Sequence, residues 1–347
     1  MPFDPAAQAS GAGFACRAAG RAVRWALGLA TAAMIVWLAV RSWDDLRSIS
    51  LDVDAGALVA AVVVSTTATV CLALAWRELI GGYGTPLARR PAVRVWMLSQ
   101  ATRYLPTGLV PLAARAALAA PFGVRRAAAA ASVVVETATL AGWAGLCAAL
   151  WAPSDWLGSA GGWPARAVIG VGAAVGLVTL PWTLAGAGRW WQHIERSARR
   201  LPLRRRLSER LRSVTLTASP AAVWRAAVVD GCAVAQRLMA AVLLAAALLA
   251  VGADDVWLVA GAVAAGIVAG MVGITPAGLG VREVVVAALL AERFGVGEAA
   301  AFAVALRVLE FAHELVLLPA SVMACRQRIH APDSFRHQSH ETGSAAP

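Results

Sequence analysis

The stretch Gly273-Ile-Thr-Pro-Ala-Gly-Leu-Gly-Val-Arg-Glu283 breaks an apolar run that begins at Val256 and resumes from Val284 to Leu290. It brings a proline, three glycines and an adjacent Arg–Glu pair into otherwise apolar sequence. Lipid cannot hydrogen-bond backbone, so non-helical chain at membrane depth has to be buried in protein or line a polar cavity. A Gly/Pro break between two short apolar pieces therefore predicts a broken or re-entrant helix pair over Val256–Leu290. The plainer alternative is a tight surface loop. The ion pair at the break, and a second break earlier in the chain, favour the first reading.

Working outward, the 347 residues are 59% hydrophobic and only 15% charged, with a mean hydropathy of +0.67. Soluble domains carry about a quarter charged residues. The fold class expected is an all-α polytopic membrane protein. All 31 basic residues are arginine and the net charge is +11, but most of these arginines flank apolar segments, where they set topology. Nucleic-acid binding is not expected. Five widely spaced cysteines without a C-x-x-C indicate neither a disulfide framework nor a metal site. There is no Walker loop, H-E-x-x-H or G-x-S-x-G, so no cofactor, metal or catalytic residue is assigned.

Full spans are predicted at Trp25–Val40, Ala55–Trp76, Ala127–Trp151, Ala165–Gly186, Ala221–Val251 and Glu298–Cys325, about six in all. Arg17, Arg21 and Arg24 place the N-terminus in the cytoplasm, and Arg326 and Arg328 place the C-terminus there. Domain limits follow: a cytoplasmic N-terminal tail over 1–22, a membrane domain over 23–325, and a disordered cytoplasmic tail over 326–347. Within the membrane domain, 188–213 is a basic cytoplasmic loop. It reads either as an amphipathic helix on anionic headgroups or as a solvated loop. The glycines Gly170, Gly172 and Gly176 suggest close helix packing, as do Gly261, Gly266 and Gly270.

The second break lies in Val95–Pro121, which contains Tyr104-Leu-Pro-Thr-Gly-Leu-Val-Pro111. Neither flank approaches the roughly 20 apolar residues of a span. With Arg90 and Arg125 both inside, this region enters and leaves from the same side. The chain then reads as two similar halves of opposite orientation, an inverted-repeat plan with two broken helix pairs.

Ionisable residues inside spans are costly and face a bundle interior or a cavity. Here they are Glu136, then Asp230 and Arg237 seven residues apart, then Arg307, Glu310, His313 and Glu314. Arg307 and Glu314 share a helix face, and Glu310 stacks one turn from Glu314. Arg103, Arg115, Arg282 and Glu283 join them from the broken elements. Such arginines can hold an anionic headgroup, because a guanidinium is always charged and grips phosphate bidentately. The alternative is that arginines and carboxylates pair only to hold helices together.

Two groups of residues carry a family resemblance. One is Arg103-Tyr-Leu-Pro-Thr-Gly with Arg115, Phe122-Gly-Val-Arg-Arg-Ala and Ala131-Ser-Val-Val-Val-Glu136; the other is Thr275-Pro-Ala-Gly-Leu-Gly-Val-Arg-Glu283. Together they resemble the lysylphosphatidylglycerol synthetase transmembrane (flippase-like) family over roughly 51–325. The first motif departs from the family pattern at Pro106-Thr107-Gly108 and at Pro111-Leu-Ala-Ala. The resemblance implies a membrane domain that translocates a lipid, without the aminoacyl-transferase domain of the synthetases and hence without their enzyme activity. It implies Arg115 and Arg282 first, with Glu136 and Glu283; Arg103 and Arg307 follow as headgroup-binding arginines and Glu310 as a supporting carboxylate, to which the charges inside the last span add Glu314. Pro106, Gly108, Pro276, Gly278 and Gly280 shape the broken-helix backbone. Membrane lipids with anionic headgroups are the partners expected, in the cell (inner or plasma) membrane, with a membrane glycosyltransferase or a second copy as further partners. The other functional classes are a membrane-embedded lipid-carrier transferase using His313–Glu314 and a non-transporting glycosyltransferase scaffold.

Overall fold

The structure, a computed structural model, describes residues 53–100, 102, 110–153, 163–198, 218–272 and 276–329, without the side chains of 185–198, 276 and 313–329. The expected first span at Trp25–Val40, both tails beyond these limits and the basic segment after residue 198 lie outside the described residues. Every regular element among the described residues is a helix. In chain order the α-helices are α1 (Ala55–Gly82), α2 (Arg89–Gln100), α3 (Val110–Ala119), α4 (Arg126–Trp151), α5 (Trp163–Ala198), α6 (Pro220–Leu248), α7 (Asp255–Val272), α8 (Val281–Phe294) and α9 (Val296–Ile329).

Five of these are long and apolar enough to cross a membrane: α1, α4, α5 over Trp163–Leu184, α6 and α7. The chain is a multi-pass membrane protein. The sequence reading placed α7 in a broken pair, yet its 18 residues alone reach about 27 Å, close to the thickness of a hydrocarbon core. Two further boundaries move. The α5 helix runs on through the start of the expected basic loop, and α9 continues to Ile329, past the limit set at Cys325.

Local chemistry explains where helices begin. The Asp54 carboxylate accepts from the N–H groups of Gly56 at 2.8 Å and Ala57 at 3.1 Å, capping α1. Pro220 opens α6, where a missing N–H costs nothing. The α3–α4 and α8–α9 junctions turn on glycines with positive φ, Gly123 at 76° and Gly295 at 95°.

The most extensive helix contact is between α1 and α6. They run antiparallel: Ser219 N–H donates to Gly82 O at one end, and Asp54 N–H donates to Ala247 O at the other. A Cβ at Gly82 would fall 2.6 Å from Ala222 Cβ, so glycine lets these two ends meet. Around this pair lie two apolar cores. One gathers Leu72, Trp76, Ile80, Trp96 and Val223 from α1, α2 and α6. The other gathers Leu244, Val263, Val286, Leu290 and Phe302 from α6 to α9. Helices α4 and α6 contribute to both.

The glycine stripes resolve differently. A Cβ at Gly261 would lie 2.2 Å from the carbonyl carbon of Trp151 and 2.3 Å from its oxygen, backbone that no rotamer change can move. Contrary to the packing expected of Gly170, Gly172 and Gly176, only Gly170 meets a neighbour, Ala149; added Cβ atoms at Gly172 and Gly176 meet nothing within 4 Å. Gly261→Ala should therefore destabilise by about 1–3 kcal/mol through overpacking, while Gly172→Ala should be neutral or stabilising by its helix propensity. Thermal unfolding of the two variants in one detergent checks this. Equal melting temperatures would show that α4 and α7 do not approach as described.

Candidate functional site

The broken element first. Between α7 and α8 the chain turns through a short 3-10 segment, Pro276–Gly278. Gly278 and Gly280 have φ of 68° and 83°, and Ala277, at 54°, holds the same left-handed region without glycine's freedom. The turn is folded tightly onto α7: a Cβ on Gly278 would lie 2.7 Å from Gly270 Cα, and one on Gly266 would lie 3.2 Å from Arg282 O. Gly266 and Gly270 thus serve packing within the chain, bringing the start of α8 against α7. The sequence stripe could not say this.

That approach sets four charged side chains together. Arg282 grips Glu310 of α9 with two nitrogens, Nη1 to Oε2 at 2.9 Å and Nη2 to Oε1 at 2.7 Å. Arg307 of α9 donates from Nε to Glu283 and from Nη1 to Glu310 at 3.3 Å, while its Nη2 reaches Ala277 O at 3.3 Å. The second Glu283 oxygen accepts from Gly280 N–H at 2.7 Å, tying the first turn of α8. Two guanidinium groups face two carboxylates, so the cluster is neutral as a set. With apolar side chains of α8 and α9 it lines a small cleft that has room for about one water molecule.

A second cluster sits where α2, α3 and α4 meet. Arg115 is ion-paired with Glu136 and both are buried. Arg115 Nε donates to Ser99 Oγ at 3.0 Å, and Trp96 Nε1 donates to the other Glu136 oxygen at 2.9 Å. The guanidinium lies over two rings, 5.5 Å from the Trp76 centroid and 5.9 Å from that of Trp96. Trp76 is fixed in turn by donating to Ser132 Oγ at 2.8 Å. Further along α4, Thr139 meets the buried Asp230 of α6.

The sequence-derived residues are therefore brought together in two sets, Arg115 with Glu136, and Arg282, Glu283, Arg307 and Glu310. Arg103, Pro106 and Gly108 lie outside the described residues, as do the side chains of Pro276, His313 and Glu314. Sequence reasoning missed Trp76, Trp96, Ser99 and Thr139, which look like ordinary apolar or small helix residues until neighbouring helices converge on them. A further pair, Asp255 at the start of α7 and Arg293 at the end of α8, closes the far end of that hairpin with contacts of 2.7 and 2.9 Å.

A bundle of apolar helices enclosing paired arginines and carboxylates defines a polytopic helical membrane protein with polar clusters inside it. The chain belongs to the family described as the lysylphosphatidylglycerol synthase TM region, which matches residues 25–315. It is thus a membrane protein of a lipid-related family. No curated protein and no solved structure matches it.

Proposed function

We propose that the chain moves a lipid between leaflets, a phospholipid or a polyprenyl-phosphate-linked lipid, and that it is not itself an enzyme. The observation that carries this reading is the Arg282–Glu283–Arg307–Glu310 cluster, built on an interrupted helix and bordering a cleft. Its two arginines offer the bidentate geometry that a phosphate needs. In the present arrangement the carboxylates occupy that geometry and the cleft is water-sized. Binding therefore requires an exchange of partners, in which a phosphodiester takes the place of the Glu310 carboxylate on Arg282 as α8 and α9 part.

The same reading takes α2–α3 and α7–α8 as re-entrant pairs in two inverted halves. Several features support it. Helices α4 and α9 start 170 residues apart, at Arg126 and Val296, and so do the sequences Pro106-Thr-Gly-Leu and Pro276-Ala-Gly-Leu. Helix α4 packs on α7 as α9 packs on α2, and α3 packs on α4 as α8 packs on α9. The antiparallel α1–α6 pair is what a twofold axis in the membrane plane requires. Arg115–Glu136 then corresponds to Arg282–Glu310, each joining the second arm of a hairpin to the helix that follows. We place the protein in the cell membrane with cytoplasmic termini, and take anionic lipids, with a membrane glycosyltransferase, as its partners.

The test is exchange of fluorescent phospholipids and polyprenyl phosphates between leaflets of proteoliposomes. Exchange faster than in empty vesicles is the expected result. None with either lipid class, with or without a proton gradient, would turn the assignment toward a scaffold.

A further inference from the structure

Asp230 is the buried carboxyl for which the headgroup reading has no use. It is 2% exposed, on the α6 face that meets α4. One of its oxygens, Oδ1, has no hydrogen-bond partner. The other, Oδ2, lies 2.5 Å from Thr139 Oγ1. Thr139 Oγ1 also lies 2.9 Å from Glu136 O, the carbonyl one turn back on its own helix.

Both of these contacts need a hydrogen, and a threonine hydroxyl has only one. A backbone carbonyl can only accept. If Thr139 gives its hydrogen to that carbonyl, the hydrogen between Thr139 and Asp230 must belong to Asp230. If Thr139 gives it to Asp230 instead, a buried carboxylate is left with one hydrogen bond for two oxygens. The first arrangement satisfies both contacts and the second does not. The charged groups acting on Asp230 are Glu136 from α4, Arg115 from α3 and Arg237 from its own helix. Among the described residues none from α1, α5, α7 or α9, which also pack on α6, joins them. Glu136 has Arg115 and Trp96 as partners for its two oxygens, whereas Oδ1 of Asp230 has none.

We propose that Asp230 is a proton-binding site: it holds a proton in this conformation, donating it to Thr139, and releases it to water during lipid transfer. The released proton leaves a carboxylate beside Glu136, and its charge is met by Arg115 and Arg237. Arg115, shared between two carboxylates, is then drawn from its place between Trp76 and Trp96. Proton release at Asp230 thereby loosens the α3–α4 contact. The coupling step rests on the lipid-transfer reading; the proton itself does not.

Two measurements on the full chain in lipid separate these. Infrared difference spectra at neutral pH should show the carbonyl band of a protonated carboxylic acid, lost in Asp230→Asn. Its absence from the wild-type protein, or its persistence in Asp230→Asn, overturns the proposal whether or not lipid moves. In proteoliposomes, lipid exchange by the wild type should respond to an imposed pH gradient, and that response should be lost in Asp230→Asn while gradient-free exchange continues. A gradient response that survives in Asp230→Asn overturns the coupling. If the band is present and no lipid exchanges in any vesicle, the lipid-transfer reading and the coupling built on it fail, while the proton site stands.

Discussion

Replacing Arg115 with methionine should cost the protein about 3–5 kcal/mol of stability, the largest loss expected of any single change to either charged cluster. The reason is what stays behind. Glu136 would remain buried among α2, α3 and α4 with its charge answered only by the Trp96 N–H. The Ser99 hydroxyl would lose its donor, and two tryptophan faces would lose their cation. A buried ion pair is not itself strongly stabilising, because desolvation of both partners offsets most of their attraction. The damage comes from removing one partner alone. The double change Arg115→Met with Glu136→Gln should therefore recover most of the loss, since a glutamine carbonyl still accepts from Trp96 and no charge is left uncompensated. Denaturant or thermal unfolding in detergent would measure both. A single variant that unfolds like the wild type, or a double variant no better than the single, would show that the pair is not buried as described.

Arg282→Ala is expected to act on function more than on folding. Its partner Glu310 keeps a contact with Arg307, so the carboxylate is not stranded. What disappears is the bidentate donor pair aimed at the cleft. Charged hydrogen bonds of this kind contribute about 1.5–3 kcal/mol, roughly ten- to a hundredfold in affinity for a phosphate-bearing headgroup. Lipid exchange in proteoliposomes should fall by that factor while the melting temperature changes little. Arg293→Ala is the contrasting variant. Arg293 is half-exposed at the other end of α8, where its pair with Asp255 closes the hairpin away from the cleft, and exchange should persist. If both variants transport equally well, the headgroup does not pass Arg282.

Much of this arrangement is readable in the sequence because membrane solvation makes certain patterns expensive. The break at Pro276–Gly280 is visible as glycine and proline where an apolar run should continue, and the structure puts its turn there. Arg115, Glu136, Arg282 and Glu310 stand out because charge inside a span demands a partner. Which partner it finds is a different matter. Arg307 meets Glu283 on α8 as well as Glu310 one turn along its own helix, and helical spacing alone does not point to the first of these. Periodicity along one helix carries no information about the neighbour's register. The same limit hid Thr139 and Asp230, 91 residues apart, and the tryptophan cage around Arg115. Glycines were ambiguous for a related reason: Gly261 and Gly172 look alike in sequence, but one touches backbone and the other meets open space.

Helix α4 has a mechanical consequence that follows from the contacts at its C-terminal end and at its middle. At its C-terminal end Trp151 rests backbone to backbone on Gly261 of α7, and Arg166 of α5 holds the carbonyls of Ala149 and Leu150 at 3.0 Å. Fifteen residues earlier, about 22 Å along the axis, the same helix carries Glu136. A contact made of main-chain atoms has no side chain to yield, so tilting of α7 is passed into α4 without slack. The helix behaves as a pinned beam: a tilt of α7 applied at its C-terminal end is carried along it to the Arg115–Glu136 pair near its middle.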